Sequence, residues 1–501
     1  MATAFFILAL SLLTLRILAR KLNLKQNKIR YHPLAGTIFN QLINFSRLHD
    51  YMTDLASKHK TYRLVAPFRN EVYTSDPANV EYILKTNFEN FGKGWHNYGI
   101  LKDLLGDGIF AVDGERWREQ RKVSSLEFSA RALRDVSSTI FKENAVKLAK
   151  IVSEAVASNQ PMDIQDLFMK STLDSIFRVA FGVELDNMCG SNEEGSRFSR
   201  AFDDSSEITA WRYVDILWKI KKALNIGSEA KLKDNIRVID EIVYTLIHFK
   251  TTQMDQADLR KQDILTRFLK LSGAEPKYLR DIILNFVMAG KDTTATTMSW
   301  FFYMLCKHPL VQEKVVREIE ITAKYGDENT NLSEFAANLS EEALEKMHYL
   351  HAALTETLRL YPPVPVDPKM CFADDTLPDG FSVRKGDVVA YQPYAMGRMK
   401  SIWGDRQKFN FERWMDNNGC FKPESPFKFT AFQAGPRICL GKDFAYRQMK
   451  ILVAVLLRFF VFELSDEKKA VKYRTMINLH IDGGLSIRAC RRSDYASADI
   501  I

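Results

Sequence analysis

Cys439 lies in the segment Phe432-Gln433-Ala434-Gly435-Pro436-Arg437-Ile438-Cys439-Leu440-Gly441, whose residue types suit a metal-binding thiolate. Such a ligand is stabilised by backbone N–H groups around its sulfur, and a tight loop supplies them where glycine admits positive φ and close approach of a cofactor plane. Gly435 and Gly441 bracket the cysteine. Arg437 stands two residues before it, placed to hold a cofactor carboxylate through charge-assisted hydrogen bonds. The run Asp443 to Lys450 leads into apolar Ile451 to Phe460 without a breaker, which predicts a helix directly after the loop. A sulfur at a helix N-terminus is favoured in its anionic form.

A second constellation sits inside Leu279 to Cys306, which is apolar on most faces and reads as a helix crossing the interior. In its middle lies Ala289-Gly290-Lys291-Asp292-Thr293-Thr294. Glycine costs about 1 kcal/mol inside a helix, so Gly290 predicts a close approach to the backbone there. A threonine that bonds the carbonyl four residues back can open the helix locally into a groove. Glu356 and Arg359 share a helix face within apolar surroundings, which predicts a buried ion pair in need of a third partner. Trp117 and Arg121, four apart, share a face as well.

In their order along the chain, these segments resemble the cytochrome P-450 family. Phe432, Gly435, Arg437, Cys439 and Gly441 fill every fixed position of F-x-x-G-x-R-x-C-x-G, and residues 289–294 fill A-G-x-D/E-T-T. The resemblance implies haem b, an iron protoporphyrin IX, with Cys439 as the axial metal ligand. It implies further that Phe432, Arg437, Gly441, Ala289, Gly290, Trp117 and Arg121 contact the cofactor, the last two at a propionate. Asp292 and Thr293 would relay protons for dioxygen cleavage, and Arg413 of Phe411-Glu412-Arg413-Trp414 would complete the Glu356–Arg359 pair. Phe411 stands where the family usually has proline, and Trp403 to Phe409 is about one residue short. The wording of Lys346 to Lys369 and Phe427 to Lys450 looks most like the plant fatty-acid hydroxylase branch.

The elements that must position these residues are mostly helical. Ala132–Ala157, Ile236–Gln256 and Leu279–Cys306 carry helical periodicity. Strand-like alternation is confined to Thr61–Val65 with Glu71–Thr74, to Phe381–Tyr391 around Lys385-Gly386-Asp387, and to Ile477–Ile487 around Asp482-Gly483-Gly484. The expected fold is mainly α with a small β region, a single large helix-rich domain of the P-450 type. No linker, repeat or low-complexity tract divides the 501 residues.

Ala2 to Leu15 carries no charge and is followed by Arg16, Arg20 and Lys21. Positive charge after an apolar run, rather than before it, predicts a retained anchor over residues 1–21 with the catalytic domain, 22–501, on the cytosolic side. The expected location is the endoplasmic reticulum membrane. The six cysteines show no metal-site or disulfide spacing, so reduced thiols are expected. A net charge of +8 without a nucleic-acid motif argues against a nucleic-acid partner. The Gly106 to Ala111 segment follows no predicted strand, so the chain carries no dinucleotide site of its own.

The resulting expectation is a monooxygenase acting on a lipophilic substrate, most simply ω-hydroxylation of a long-chain fatty acid with O2. Electrons would come from a separate NADPH-dependent flavoprotein reductase docking near Arg118, Lys122, Lys442 and Lys450. Ile100, Leu101, Ile109, Phe110, Val364 and Val366 are the expected apolar pocket. The alternatives are a haem-thiolate isomerase or dehydratase of hydroperoxides, and a non-catalytic haem-binding protein.

Overall fold

Helix starts and stops follow local chemistry. The computed structural model describes residues 38–65, 70–129, 131–190, 193–253, 263–272, 275–323, 331–404 and 408–494. The anchor expected over 1–21 lies outside them. Seven helices position the site: α1 (Gly114–Ser129), α2 (Ile164–Phe181), α3 (Glu193–Trp211), α4 (Pro276–Val287), α5 (Thr293–Lys307), α6 (His348–Leu360) and α7 (Lys442–Phe459). Asp163 caps α2 by accepting from the Gln165 and Asp166 N–H groups, and Gly182 ends it in the left-handed region at φ 61°. Pro276 opens α4 at a position whose N–H has no helical partner. α4 and α5 are buried on most faces and cross the core, with Leu279, Ile283, Val287, Ala295, Met298 and Phe301 inaccessible to solvent.

The β region is a five-stranded sheet and two smaller ones. Its strands are β1 (Thr61–Val65), β2 (Asn70–Thr74), β3 (Phe91–Gly92), β4 (Asp367–Cys371) and β5 (Val388–Tyr391), in the order β1-β2-β5-β4-β3. Only the β2–β5 pairing is parallel in this sheet. The expected hairpin over Phe381–Tyr391 does not form. Ser382–Val383 pairs back with Asp375–Thr376, while β5 inserts between β2 and β4. Ile477 to Ile481 is likewise no strand, because its backbone is used elsewhere: the Leu479 carbonyl accepts from Trp300 Nε1 at 2.7 Å and its N–H donates to Pro363 at 3.0 Å. The strand in that region is Ser486–Arg491, paired with Phe460–Leu464 and Met162–Asp163.

The buried ion pair read from Glu356 and Arg359 is present. Arg359 Nε and Nη2 each donate to the Glu356 carboxylate at 2.7 Å, and both side chains are inaccessible. Arg413 Nε at 3.3 Å, Trp414 Nε1 at 2.8 Å and the Asn410 N–H at 2.9 Å also donate to that carboxylate. Removing one partner of such a pair costs about 3–5 kcal/mol, because it strands an uncompensated buried charge. Phe411 packs its ring 4.3 Å from Tyr349, so an aromatic core contact occupies the place where proline was expected. Gly397 permits the closest approach in this region: a Cβ there would lie 1.9 Å from the Arg359 carbonyl oxygen.

Candidate functional site

The cysteine loop is shaped by a short 3-10 turn, Gly435–Arg437, after which the Cys439 N–H donates to Phe432 O at 2.8 Å. Positive φ falls at Gln433, 58°, and Gly435, 65°, while Gly441 sits at −88° as the N-cap of α7. Gly435 is dictated twice over, since a Cβ there would also meet Leu84 O at 1.9 Å. The Gly441 N–H points at the Cys439 sulfur. Cys439 is accessible from a cavity yet lies deep in the protein. Burial therefore pushes its thiol up, while the Gly441 N–H and the Arg121 and Lys442 charges pull it back down. A metal cation bound at the sulfur would tip that balance to the thiolate.

Opposite the cysteine, the predicted helix opens. Between α4 and α5, Met288–Asp292 forms a π-helical turn, the wide geometry that inserts a bulge into an α-helix. Thr293 Oγ1 donates to Ala289 O at 2.5 Å, the backward bond expected of a threonine at a groove. Ala289, Gly290 and Thr293 line the cavity. What crowds the Gly290 backbone is a neighbouring side chain: a Cβ there would lie 2.9 Å from Ile176 Cδ1 of α2. Asp292 does not line the cavity. It turns toward Lys291 and Asn478, whose Nδ2 lies 3.3 Å from its Oδ2.

The cavity between these walls measures about 440 Å³. Phe432, Arg437, Cys439, Gly441 and Arg121 line it, with Leu101, Ile109, Phe110, Val364 and Val366 from the expected apolar set. Ile100 is packed into the core instead. Trp117 is also held back from the wall. Its ring lies under the Arg437 guanidinium at 4.4 Å and against Phe88 at 5.5 Å, so it supports the arginine from behind.

Cations gather at one side of the cavity. Arg437 Nη2 reaches Asp113 Oδ1 at 2.6 Å and Val112 O at 3.1 Å, while its Nε is buried with no partner among the described residues. Arg121 donates to Ile438 O, which ties α1 to the cysteine loop. Sequence reasoning missed Lys93, which also lines the cavity and pairs with buried Asp367 at 3.0 Å, and Lys369, which holds the same carboxylate at 2.8 Å. Burial would raise Asp367, but the two ammonium groups outweigh it and hold its carboxyl well below the usual range. An isolated lysine carries no local motif, so only the pairing of β3 with β4 reveals this cluster. An orphaned guanidinium N–H, neighbouring cations and an accessible sulfur fit a flat macrocycle that bears carboxylates and a metal.

One other expectation needs correction. Lys450 does not belong to a docking face: it is buried and donates to Leu344 O at 2.7 Å. Gly106, the first glycine of the Gly106 to Ala111 segment, ends a helix at φ 58°, and the Asp107 N–H donates to Asp281 of α4 at 2.8 Å. That segment braces the roof of the cavity.

The family model for cytochrome P450 matches residues 29–485. Cytochrome P450 704C1 of Pinus taeda is 51% identical over 481 residues, covering 92% of each chain. Cytochrome P450 704B1 of Arabidopsis thaliana is 45% identical over 496 residues, covering 92% of this chain and 94% of its own. Cytochrome P450 94A1 of Vicia sativa is 35% identical over 476 residues, covering 92% and 90%. With a match across nearly the whole chain and a cysteine loop facing an opened helix, this protein belongs to the cytochrome P450 family of haem-thiolate monooxygenases.

Proposed function

We propose that this protein is a membrane-bound ω-hydroxylase of long-chain fatty acids that holds haem b and takes electrons from a separate NADPH-dependent flavoprotein reductase. The observation that carries the reading is the cavity itself. It joins the Cys439 sulfur to a largely apolar lining, and it extends to Gln41, Phe45, Leu48 and Met52 near the start of the described chain. Primary C–H bonds are the hardest to oxidise, so attack at a terminal methyl requires walls that hold that end near the reacting centre and keep internal methylenes away. Leu101, Ile109, Phe110, Val364 and Val366 are suited to that work. The bound haem supplies activation of dioxygen, which the thiolate favours by donating electron density.

The chain's own residues do the rest. Cys439 ligates the metal, with the Gly441 N–H on its sulfur. Arg437, through its unpartnered Nε, and Arg121 hold cofactor carboxylates, while Trp117 fixes the Arg437 plane from behind. Phe432, Ala289, Gly290 and Gly441 bound the site. Thr293 and Asp292 manage protons at the opened helix, where the π turn leaves room for a small ligand or water. Exposed Lys122 and Lys442, with Arg118, which pairs with Glu89 and Glu115, form the reductase-facing surface.

Residues 1–21 act as the anchor and 22–501 as the catalytic domain on the cytosolic side of the endoplasmic reticulum. Among the described residues no helix is long and apolar enough to cross a membrane. A surface contact is favoured by the Trp218–Leu224 helix, which exposes Ile220 and Leu224 at 57% and 63% beside Lys219, with Trp95 nearby. Apolar side chains rimmed by lysines suit the headgroup layer. Tyr213 and Val214, just before this helix, line the cavity, so a lipid-borne acid would enter from that side.

Cys439→Ser is expected to abolish the thiolate-type carbon monoxide band of the reduced haem protein; a normal band rules out Cys439 as the ligand. Thr293→Ala should bind haem and substrate yet divert reducing equivalents to peroxide, and fully coupled NADPH consumption counts against its proton role. A panel of fatty acids, terpenoids and phenolics, read by mass spectrometry, should yield ω-hydroxy acids. Hydroxylated terpenoids without any fatty-acid turnover would reject the substrate assignment and leave the monooxygenase standing. Ile220→Ser with Leu224→Ser should weaken flotation with phospholipid vesicles, measured after removal of the anchor; unchanged flotation refutes the surface contact.

A further inference from the structure

Behind the opened helix, away from the cavity, lies a buried charge cluster with no counterpart in the sequence reading. Lys291 is inaccessible to solvent. Its ammonium donates to Asp292 Oδ1 at 2.9 Å and, across to α3, to Asp203 Oδ1. Asn478 engages the other oxygen of Asp292. Asp292 is 1% exposed, whereas the Asp203 side chain keeps 38% of its surface. Burial alone would lower the Lys291 ammonium, but the two carboxylates outweigh it and hold it well above its ordinary value. It is therefore a permanent cation shared between an inner acid and an outer one.

We propose that Lys291 and Asp203 are positioning residues for Asp292: the shared ammonium orients the inner carboxylate, and the charge state of Asp203 sets how much of the cation Asp292 receives. This rests on the reading of Asp292 as a proton-managing group. The other groups facing the cluster are few among the described residues. Asp204 follows Asp203 on α3 and pairs with Lys231 at 2.7 Å. His480, from the segment after α7, has a buried Nε2 without a described partner, and burial holds its imidazole down to about 4, so it stays neutral. The Phe202 ring lies 5.9 Å from the Lys291 ammonium.

The outer acid gives the cluster a pH response. Partial desolvation, together with the Asp292 and Asp204 charges, pushes the Asp203 carboxyl up to about 6 against the pull of Lys291. Above that value Asp203 is ionised and competes for the ammonium. As pH falls through about 6 it becomes neutral and gives up its hold on the ammonium.

The test uses haem-loaded, full-length enzyme with reductase and measures peroxide released per NADPH consumed at pH values on both sides of about 6. Wild type should show an inflection there. Asp203→Asn should lose it and behave at higher pH as wild type does below it. Lys291→Met should release severalfold more peroxide, and Lys291→Arg should restore most of the coupling, since a guanidinium bridges the same carboxylates. Independently of turnover, the losses in Tm from Asp203→Asn and Lys291→Met should be non-additive in the double variant. If Lys291→Met fails to fold, Asp203→Asn and Lys291→Arg carry the test. An Asp203→Asn profile superimposable on wild type overturns the proposal. So does wild-type coupling in Lys291→Met when Asp292→Asn is uncoupled. Intact coupling in Asp292→Asn itself overturns the proton role of Asp292, and the positioning role falls with it.

Discussion

A single buried carboxylate, Glu356, holds together the two parts of the chain that build the cysteine wall. From α6 it binds Arg359 on its own helix and, across the core, Arg413, Trp414 and the backbone of Asn410. Every donor is needed, because an ionised carboxylate out of water is tolerated only when its lone pairs are filled. Trp414 carries the restraint onward, its ring 4.9 Å from Phe429 in the approach to the cysteine loop. α6 also reaches the far side of that loop. Thr355 Oγ1 meets Tyr446 OH of α7 at 2.8 Å, and the Tyr446 ring lies 5.3 Å from Phe432. The loop is thus clamped between its own flanks by one helix, which keeps the sulfur aimed at the cavity without a covalent tie.

Across the cavity the constraint is different. A continuous α-helix would close over the sulfur with its carbonyls already paired. The π turn at Met288–Asp292 changes that, and Thr293 takes up the Ala289 carbonyl. Small residues on the inner side keep the groove open, while the charged members of the same turn face away. Ala289 and Gly290 line the cavity, and Lys291 and Asp292 are buried behind it. One turn of helix therefore separates an apolar, ligand-facing side from an ionic side connected to α3.

Charge is partitioned the same way around the cavity. Lys93, Arg121 and Arg437 form a cationic side; Asp367 balances Lys93 and Asp113 balances Arg437, while Arg121 donates to the neutral Ile438 carbonyl. The remaining walls are mostly aliphatic and aromatic. A ligand with carboxylates at one edge and a flat apolar body matches that division, and the apolar remainder is left for a lipophilic substrate.

Local features were legible in the sequence because they depend on spacing within a few residues. The cysteine loop, the helix after it, the backward-bonding Thr293 and the Glu356–Arg359 pair all follow from periodicity, turn chemistry and side chains one turn apart. Nothing within such a window reports which surfaces meet. Trp117 backs Arg437 instead of lining the cavity because Phe88 and the guanidinium enclose it. Lys450 is lost to the surface because the Leu344 carbonyl takes its ammonium. β5 leaves the expected hairpin because β2 and β4, distant from each other in the chain, offer it two edges at once. Asp203 meets Lys291 only where α3 crosses the π turn. By itself the sequence determined the cysteine loop, the helix that opens across the cavity from it and the family the chain belongs to; tertiary packing decided which charges surround them, because burial and pairing between distant segments exist only once the chain has folded.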